Sequence, residues 1–583
     1  MSLHIAIWQD KIILRTKEEL HPSLKPYTKY NERISGYLFW FGKQNLQRIF
    51  NAYGLLPVLR GQERIDELKI KHSELKSITQ KVANVKSSAQ LPAIAFKLPP
   101  LGEYQHRGVC FLLETPIAPL FASCGVGKTF MALTSTEEQF RTGVLERGKV
   151  LICAKLATLE TAWFDDCLKF TDMKANIVWL PAGSKRKEKL LAILNDPADI
   201  YIINHDGLMV LEEELAEKKF QKVVVDESTI LKSYHGDFTR SGGKFGKALM
   251  NVAKHASWRV IMSGTPAPNG PEDLWGQFKF LDPEGFLLEP SFFDFRAEYM
   301  KELSYGRNPI TSFKKFVFKR ETLPQIKTLV DSLSYQVKIR DCLHDLPPKT
   351  IIPRRIRMSA EQNAHYASML ESLSTIIDDE FVSIDVKLAQ IAKLRQITGG
   401  FLIDQEERPH PIDTATKLDA LDCLIEELGD NKIVIYAQYR WEIKTIAERY
   451  KDLGLVTVYG ENKSEDNLKN IKAFIQDPKV KAIVLHPKSA AHGVTFTVSH
   501  YMIFYSSSYS AEDDYQCVKR IERAGQKHPI FIYYLISVLQ EPIRKHEESI
   551  DEIMYRVIQV KSKNQSELID QREVNKAIFA ALI

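Results

Sequence analysis

The stretch "ASCGVGKTF" combines small residues, a lysine and a hydroxyl in the order that a phosphate-binding loop uses. Gly125 and Gly127 allow successive backbone N–H groups to point into one concavity, and a helix beginning near Thr129 would add positive potential there. In this arrangement Lys128 would reach the β- and γ-phosphates of a nucleotide, and the Thr129 hydroxyl would ligate Mg²⁺. The loop lacks one common feature, because Ala122 stands where a glycine is expected, five residues before Gly127.

A second group of chemically competent residues lies in "VVVDEST", where three valines precede two carboxylates. The valines predict a buried strand, so Asp226 and Glu227 come at its carboxyl end. Two adjacent carboxylates in such a place are unfavourable unless a cation neutralises them. We therefore expect Asp226 to hold Mg²⁺ through its water shell, and Glu227 to orient and deprotonate an attacking water.

A third candidate is Gln105, which lies twenty residues before Gly125 in "LGEYQHRGVCFLL". Its amide both donates and accepts hydrogen bonds, so it could pair with N6 and N7 of adenine. Taken alone, a glutamine on an amphipathic helix is more often a surface residue. This interpretation therefore depends on the rest of the chain.

The composition is that of an ordinary globular protein with more than one core. At roughly 150 residues per domain, the 583 residues predict three or four domains. Hydrophobic residues make up 44%, and no apolar run approaches the roughly 18 residues of a membrane span. The N-terminus lacks the layout of a signal peptide, so we expect a cytoplasmic protein with no membrane partner. The net charge of +5 permits a local basic surface but does not by itself indicate nucleic-acid binding.

The cysteines indicate neither a disulfide framework nor a zinc site. There are seven, an odd number, and they are scattered along the chain. None of them forms a C-x-x-C pair.

Short β-branched runs alternate with amphipathic stretches after about residue 100. Continuous apolar strands of this kind are typical of parallel sheets covered by helices on both faces. One set of strands is predicted in "KVLICA" (149–154), "DIYIIN" (199–204), "KVVVDES" (222–228) and "RVIMSGTP" (259–266). A second set is predicted in "NKIVIYAQY" (431–439), "GLVTVYG" (454–460), "VKAIVLHP" (480–487) and "YMIFYSS" (501–507). The fold class is therefore α/β with two lobes, and functional residues are expected at the carboxyl ends of the strands.

The same patterns divide the chain into five predicted segments. The N-terminal part alternates like a hairpin, then becomes aromatic and then helical, which indicates a small α+β domain. The predicted segments are an accessory domain at 1–97, a first lobe with the phosphate loop at 98–285, a helical connector with protrusions at 286–395, a second lobe at 396–560 and a helical tail at 561–583.

Further motifs follow the loop and the carboxylates in a recognisable order. The first lobe contains "AKLATLETAWFDDCLKF" and "IMSGTPAPNGPEDLWGQFKFLDP", and the second contains "LPPKT", "KLRQITGG", "AAHGVTFT" and "YQCVKRIERAGQ". Over residues 98–560 the chain thereby resembles the Swi/Snf-type ATPases of helicase superfamily two. The compact layout is more similar to small bacterial and phage members than to eukaryotic chromatin remodelers. A bacterial or phage-infected cell is the expected setting.

This resemblance implies two RecA-like lobes with ATP between them, and Mg²⁺ as the metal cofactor. Lys128, Asp226 and Glu227 keep the catalytic roles described above. The positions that match nucleotide-binding residues of the family are Gln105, Gly125, Val126, Gly127, Lys128, Thr129 and Gln516.

Other positions match residues that couple ATP to DNA or act on the γ-phosphate. Ser263 and Thr265 match a motif that links the nucleotide state to the grip on DNA, and Gly493 and Thr497 match its counterpart in the second lobe. Arg520 and Arg523 match the arginine pair that reaches the γ-phosphate. Two arginines three residues apart would lie on one face of a helix, so both could point to one place.

The chain departs from the family pattern at several positions. Ala122 and Ser123 replace acidic residues, and Thr229 stands where many members have His. Ala154 replaces a Pro, and Thr495 replaces an Asn. None of these departures removes a group that touches the γ-phosphate. They bear instead on the coupling to DNA.

The resulting hypothesis is a DNA-dependent ATPase that moves along duplex or branched DNA. Contacts to the phosphate backbone would make its binding independent of sequence and sensitive to salt. The aromatic residues around Trp40 leave open an annealing or fork-remodelling enzyme, although an ordinary hydrophobic core explains them as well. The motifs also leave open an RNA-stimulated helicase, or a binding scaffold that ATP switches and whose protein partners are unknown. Trp163 is interpreted as a packing residue of the first lobe rather than a residue that stacks on bases.

Overall fold

The structure, a computed structural model, describes residues 4–563 except for several short segments. Those segments are 9–10, 16–19, 32–35, 41–42, 54–57, 61, 124, 182, 236–242, 269, 306–312, 339–341, 343–346, 379–383, 405, 414, 490–493, 509–510, 524 and 544–547. The chain forms two compact units, Met1–Cys342 and Leu343–Ile583, which are described separately below.

The first unit begins with a small mixed sheet. Its five strands are β1 (His4–Trp8), β2 (Lys11–Arg15), β3 (Lys29–Asn31), β4 (Gly36–Trp40) and β5 (Val58–Arg60), in the order β3-β4-β2-β1-β5. The predicted hairpin is confirmed, because β1 pairs antiparallel with β2. Alternate residues such as Ile5, Ile12 and Phe39 are fully buried against helix α1 (Lys43–Tyr53), as expected for a sheet that covers a core with one face. The long polar helix α2 (Gln62–Ser87) follows.

A parallel sheet of seven strands forms the centre of the first unit. The strands are β6 (Ile117–Ala122), β7 (Val150–Ala154), β8 (Ala175–Val178), β9 (Ile200–Asn204), β10 (Lys222–Asp226), β11 (Trp258–Ser263) and β14 (Tyr335–Val337), in the order β14-β6-β11-β10-β7-β9-β8. Every residue of β7, β9 and β10 is buried, because helices cover both faces of the sheet. The four strands predicted in this lobe are all present.

Helices connect these strands and cover the sheet. They are α3 (Glu103–Glu114), α4 (Lys128–Arg141), α5 (Asp165–Phe170), α6 (Arg186–Asn195), α7 (His205–Val210), α8 (Glu212–Glu217), α9 (Lys244–Val252), α10 (Asp273–Leu281), α11 (Phe292–Tyr299) and α12 (Leu323–Leu333). A π-helical turn at Leu159–Phe164 precedes α5, and a 3-10 turn at Ser228–Ser233 follows β10. A separate hairpin consists of β12 (Met300–Tyr305) and β13 (Phe313–Phe318).

The N-terminal sheet and α1, here called the N-terminal module, are docked on the region of α11 through buried charged groups. Arg48 on α1 donates two hydrogen bonds to the Glu289 carboxylate at 2.8 and 2.9 Å, and a third to Glu298 at 2.9 Å. Nearby, Asn45 donates to Asp294 at 3.2 Å. Glu289, Asp294 and Asn45 are all buried, so the module is an integral part of the first unit.

Replacing Arg48 by Met should destabilise the chain, and by more at pH 8 than at pH 6. The methionine keeps an unbranched stem but leaves buried carboxylates without their cation, a change that typically costs about 3–5 kcal/mol. Burial raises the pKa of Glu289 to about 7 and that of Asp294 to about 6. A raised carboxyl pKa means that the folded chain binds the proton more tightly than the unfolded chain does. That contribution is present at low pH and is lost as the pH rises through about 7. The Arg48 guanidinium lowers the pKa of both carboxyls, so its removal raises them further and makes the loss at pH 8 larger than in the unmodified chain.

Thermal unfolding of the full chain at the two pH values measures this effect. Arg147→Met is the matched control, because Arg147 is 58% exposed and pairs with Asp199 at the surface. If Arg48→Met lowers the unfolding temperature equally at both pH values, the buried carboxylates do not cause the pH dependence.

The second unit is built on another parallel sheet. Its six strands are β15 (Lys349–Arg357), β18 (Ile433–Tyr436), β19 (Leu455–Val458), β20 (Ala482–Leu485), β21 (Tyr501–Phe504) and β22 (Ile530–Val538), in the order β15-β22-β21-β18-β20-β19. A short hairpin consists of β16 (Phe401–Ile403) and β17 (Pro409–Pro411). The helices are α13 (Ala360–Asp378), α14 (Ile384–Thr398), α15 (Ala415–Leu428), α16 (Arg440–Arg449), α17 (Ser464–Gln476), α18 (Ala511–Val518) and α19 (Ile550–Lys563). The four strands predicted in this lobe are all present.

The segment predicted as a helical connector differs from the structure. Residues 286–395 do contain α11, α12, α13 and most of α14, but they also contain the β12–β13 hairpin. Strand β14 extends the first sheet beside β6, and β15 forms an edge of the second sheet beside β22. The sequence hides these strands because β14 is only three residues long and β15, as an exposed edge, carries many polar residues. The tail beyond Lys563 lies outside the described residues.

No helix in the described parts of the chain is long and apolar enough to cross a bilayer.

Candidate active site

The glycine-rich loop between β6 and α4 has the backbone that the sequence predicts. Gly125 has φ +85° and Gly127 has φ +89°, both in the left-handed region that glycine tolerates best. A Cβ on Gly127 would also lie 2.3 Å from Nε2 of Gln105, so this position requires glycine for two reasons. The loop therefore turns at Gly125, and Ala122 remains the last residue of β6. Val126 between the glycines is buried.

Lys128 and Thr129 open helix α4 at the end of this loop. The Lys128 Nζ donates to the Ala122 carbonyl at 2.8 Å, so the side chain lies back across the loop. Thr129 is half-buried in the first helical turn. The N-terminus of α4 contributes unpaired N–H groups and positive potential at the same place, as a phosphate site requires.

Gln105 braces the loop in this structure. It is 2% exposed on α3, its Nε2 donates to the Val126 carbonyl at 3.0 Å, and its Oε1 accepts from the Leu101 N–H at 2.7 Å. Each amide atom keeps one further hydrogen-bonding position, which is compatible with the predicted contact to adenine. The surface glutamine that the isolated motif allowed is excluded by its burial.

Asp226 and Glu227 lie at the carboxyl end of β10, as predicted. Burial raises the pKa of Asp226, the Glu227 carboxylate adds to this rise, and Lys128 opposes it. Strand β11 lies between β6 and β10 and pairs Ser263 with Phe121 and Met262 with Asp226, so the loop after β6 and the carboxylate pair lie at the same edge of the sheet. Glu227 has φ +49° and ψ +54°, a left-handed conformation that is unusual for a residue with a side chain and common at functional sites.

The residues present fit a magnesium ion. A carboxylate at Asp226 and a hydroxyl at Thr129 are the hard oxygen ligands that Mg²⁺ prefers, and this ion usually keeps several waters and takes the rest of its ligands from phosphates. The described residues contain no group of three or more His, Cys, Asp or Glu that could hold a metal on its own.

Trp163 holds the Asp226 carboxylate, a role that the sequence did not indicate. Its ring is fully buried, which confirms the interpretation as a packing residue of the first unit. In addition, its Nε1–H donates to Asp226 Oδ2 at 3.0 Å, while the Glu227 N–H donates to Oδ1 at 2.9 Å. Both carboxylate oxygens are therefore fixed, each with a lone pair to spare. The signal in the sequence was a tryptophan within the motif after β7, but its partner became visible only in the fold.

Replacing Trp163 by Phe should weaken Mg²⁺-dependent activity while it keeps most of the packing. Loss of the N–H releases one oxygen of Asp226, and removing such an outer partner typically costs about 10–100-fold in metal affinity or activity. The measurement is the Mg²⁺ concentration that gives half-maximal ATP hydrolysis. Trp275→Phe is the control, because Trp275 is equally buried but donates to the Glu289 carbonyl. The same change in Mg²⁺ dependence in both variants would refute the assignment.

Ser263 and Thr265 lie beside the carboxylates. Strands β10 and β11 are neighbours and pair Asp226 with Met262, so Ser263 follows directly at the same edge of the sheet. Ser263 is buried, and its Oγ accepts from the Thr265 N–H at 3.1 Å. The first unit thus brings together the loop, the carboxylates and the Ser263–Thr265 segment.

The arginine pair of the second unit does not lie on a helix, contrary to the prediction. Helix α18 ends at Val518, and the Arg520 carbonyl accepts from the Phe496 N–H at 2.8 Å instead of continuing the helix. Arg520 is 6% exposed. Arg523 is only half-buried, so the two guanidinium groups have different environments. Gln516 is half-buried on α18, one turn before this bend.

Thr495 fixes Arg523. The Arg523 Nη1 donates to the Thr495 Oγ1 at 2.8 Å, and its Nε donates to the Lys519 carbonyl at 2.8 Å. Thr495 is the residue that replaces the usual Asn of this motif, and its hydroxyl supplies an acceptor. Thr497 is half-buried in the same loop, and Gly493 lies outside the described residues.

Replacing Thr495 by Val should lower the turnover number about tenfold with little change in KM for ATP. The valine keeps the shape but removes the acceptor for a charged donor, and such a hydrogen bond contributes roughly 1.5–3 kcal/mol. Steady-state ATP hydrolysis measures both constants, with Arg523→Ala as the reference for complete loss. Thr495→Ser should keep most of the turnover. A serine variant as slow as the valine variant would show that the hydroxyl is not what matters.

Comparison with known proteins identifies the family. The profile of the SNF2-related domain matches residues 104–401, and that of the helicase conserved C-terminal domain matches residues 416–525. The chain belongs to the SNF2-related family. This confirms the resemblance seen in the motifs and the fold class of two RecA-like α/β lobes. An SNF2-related chain with a helicase C-terminal domain is a nucleic-acid-dependent ATPase.

Individual SNF2-related relatives are distant in sequence. The chain is 26% identical over 457 residues to "Putative protein p41" of Acyrthosiphon pisum secondary endosymbiont phage 1, covering 76% of this chain and 95% of that protein. It is 23% identical over 492 residues to the transcription regulatory protein SNF2 of Saccharomyces cerevisiae, covering 79% of this chain but only 28% of the yeast protein. Among solved structures, it is similar to the Sulfolobus solfataricus SWI2/SNF2 ATPase core in complex with dsDNA, with 21% identity, a TM-score of 0.38, and coverage of 82% of this chain and 94% of that one.

Proposed function

We propose that this protein hydrolyses ATP in order to move along duplex DNA without reading its sequence. The observation that carries the proposal is that the loop with Lys128 and the Asp226–Glu227 pair lie at the same edge of the first sheet. The family assignment makes a nucleic acid the activator, and the names of relatives refer to regulators of chromatin and to an ATP-dependent helicase. Duplex DNA is therefore the substrate that we favour.

Each residue of the proposed site has a defined task. The N–H groups of the loop and the Lys128 ammonium hold the β- and γ-phosphates. Glu227 takes the proton of the water that attacks the γ-phosphorus, and the bond to ADP breaks. Asp226 and Thr129 would hold Mg²⁺, which would neutralise phosphate charge when bound. Arg523 stabilises the charge on the transferred group, a contribution of roughly 10³–10⁵ in rate for such arginines.

The proposed coupling residues link this chemistry to DNA. We assign Ser263 and Thr265 in the first unit, and Gly493 and Thr497 in the second, to that task. The contacts would be mostly with phosphates, so binding should weaken steeply with added salt. We keep the proposed limits of the two lobes at 98–285 and 396–560, with β14 and β15 as additions from the intervening segment.

Replacing Glu227 by Gln should abolish ATP hydrolysis and leave ATP binding largely intact. A general base typically contributes about 10²–10⁴-fold, and the glutamine keeps the shape but cannot accept the proton. Lys128→Ala should lose binding as well, because it removes a charge that contacts the phosphates. ATP turnover and the Kd of a fluorescent ATP analogue are measured for each. Substantial turnover in either variant would contradict the site.

The choice of nucleic acid is tested by ATP hydrolysis with linear duplex DNA, forked DNA, single strands and RNA. We expect duplex DNA to stimulate turnover most, with an effect that falls with salt. A preference for forked DNA would favour a fork-remodelling enzyme, and a preference for RNA would favour an RNA-stimulated helicase. Stimulation by none of them would favour an ATP-switched scaffold and would overturn the proposal. The N-terminal module is best kept in these experiments, because its deletion would expose the carboxylates of Glu289 and Asp294.

A further inference from the structure

A chain of hydrogen bonds through two buried side chains begins next to the proposed catalytic carboxylates. The Ser228 Oγ donates to the Gln277 Oε1 at 2.6 Å. The Gln277 Nε2 donates to the Pro266 carbonyl at 2.6 Å and to the Asp273 carbonyl at 2.8 Å. Ser228 and Gln277 are both fully buried. Their contacts are therefore shielded from the competition of water.

The two ends of this chain are next to residues with proposed roles. Ser228 directly follows Glu227, and Pro266 directly follows Thr265. The segments that carry them leave neighbouring strands, β10 and β11, at the same edge of the sheet. Gln277, on α10, is the residue that joins the two segments through its side chain.

The hydrogen bonds specify the orientation of the Gln277 amide. An amide nitrogen has two N–H donors, and both are used on carbonyl groups. Reversing oxygen and nitrogen would place the oxygen against two carbonyl oxygens and remove the donor that the Pro266 carbonyl accepts, which is costly. No apolar residue of similar size can make these contacts.

Close packing leaves little freedom between α10 and the turn after β10. A Cβ on Gly276, next to Gln277, would lie 2.1 Å from the Leu231 carbonyl and 2.9 Å from that of Tyr234. The helix therefore lies directly on the Ser228–Ser233 turn. The Thr229 hydroxyl, where many family members have His, donates to the Glu227 carbonyl of its own turn at 3.5 Å. Ser228, the residue after Glu227, is therefore joined through Gln277 to both α10 and Pro266.

We infer that Gln277 is a positioning residue that couples Glu227 to the Ser263–Thr265 segment through Ser228 and Pro266. The inference rests on the proposed function for its main readout, the stimulation of ATP turnover by DNA. Gln277 touches neither ATP nor DNA in this assignment. It acts on the position of two segments that do.

The test uses the full chain with Ser228→Ala, Gln277→Met and the double variant. The readouts are the ratio of DNA-stimulated to unstimulated turnover, the Kd of a fluorescent ATP analogue, and the temperature of unfolding. Matched controls are Ser135→Ala and Gln139→Met, which alter two equally buried residues of α4 that contact Lys222. A purely structural loss would lower the unfolding temperature in controls and test variants alike.

We expect the stimulation ratio to fall about tenfold in Gln277→Met, which corresponds to 1.4 kcal/mol of coupling, with the Kd for the analogue within about threefold. Ser228→Ala should also lower the stimulation ratio. The ratio in the double variant should be no lower than in Gln277→Met, because both substitutions act on one linkage. An unchanged ratio in Gln277→Met, or the same fall in the controls, would overturn the inference.

A second measurement does not depend on DNA. Hydrogen exchange of the peptide that contains Ser263 and Thr265 is recorded with and without the ATP analogue. We expect the analogue to protect this peptide from exchange in the unmodified chain. Loss of that protection in Gln277→Met would support the linkage, and protection that persists in the variant would overturn it. Failure of the proposed function would give a different result, because no nucleic acid would then stimulate ATP turnover in the unmodified chain.

Discussion

The burial of one carboxylate, that of Asp226, is the constraint on which the first unit depends. A charged group at the end of a buried strand is stable only where donors and cations surround it. The indole of Trp163, the N–H of Glu227 and the ammonium of Lys128 supply them. Two separate parts of the chain, which carry Trp163 and Lys128, must therefore converge on the carboxyl end of β10. This convergence places the glycine-rich loop, Glu227 and the tryptophan of the motif after β7 at one edge of the sheet.

The backbone around the site is unusual at two residues. Glu227 has a left-handed conformation, and its N–H donates to the Asp226 carboxylate. Gly127 also has a left-handed conformation, and the Gln105 amide occupies the space that a Cβ would need there. Conformations of this kind persist only when the surroundings determine them. The buried glutamines Gln105 and Gln277, one on each side of the site, belong to those surroundings.

Much of this could be predicted from the sequence, because local patterns carry it. The β-branched runs gave all eight predicted strands of the two sheets, and the glycines and carboxylates fell at the predicted ends of strands. Short and exposed strands such as β14 and β15 carry no such pattern, so the connector was predicted as helical. The bend at Arg520 was missed for a related reason. It is set by the Phe496 N–H, which lies in another loop. The sequence identifies the residues Trp163, Gln277 and Thr495, but their roles depend on contacts with residues that only the tertiary structure brings near.

The docking of the N-terminal module also has a consequence for synthesis of the protein. Arg48 and Glu289 are separated by 241 residues, so a ribosome working at about 5–20 residues per second needs about 10–50 s to join them. During that interval the module has left the ribosome, but the partners of Arg48 and Asn45 have not yet been synthesised. This face carries an arginine and two amides beside its apolar contact with Phe286, and such polar groups are compatible with water until the region of α11 is made. An interface built from buried charges thus suits a module that must wait for its partner.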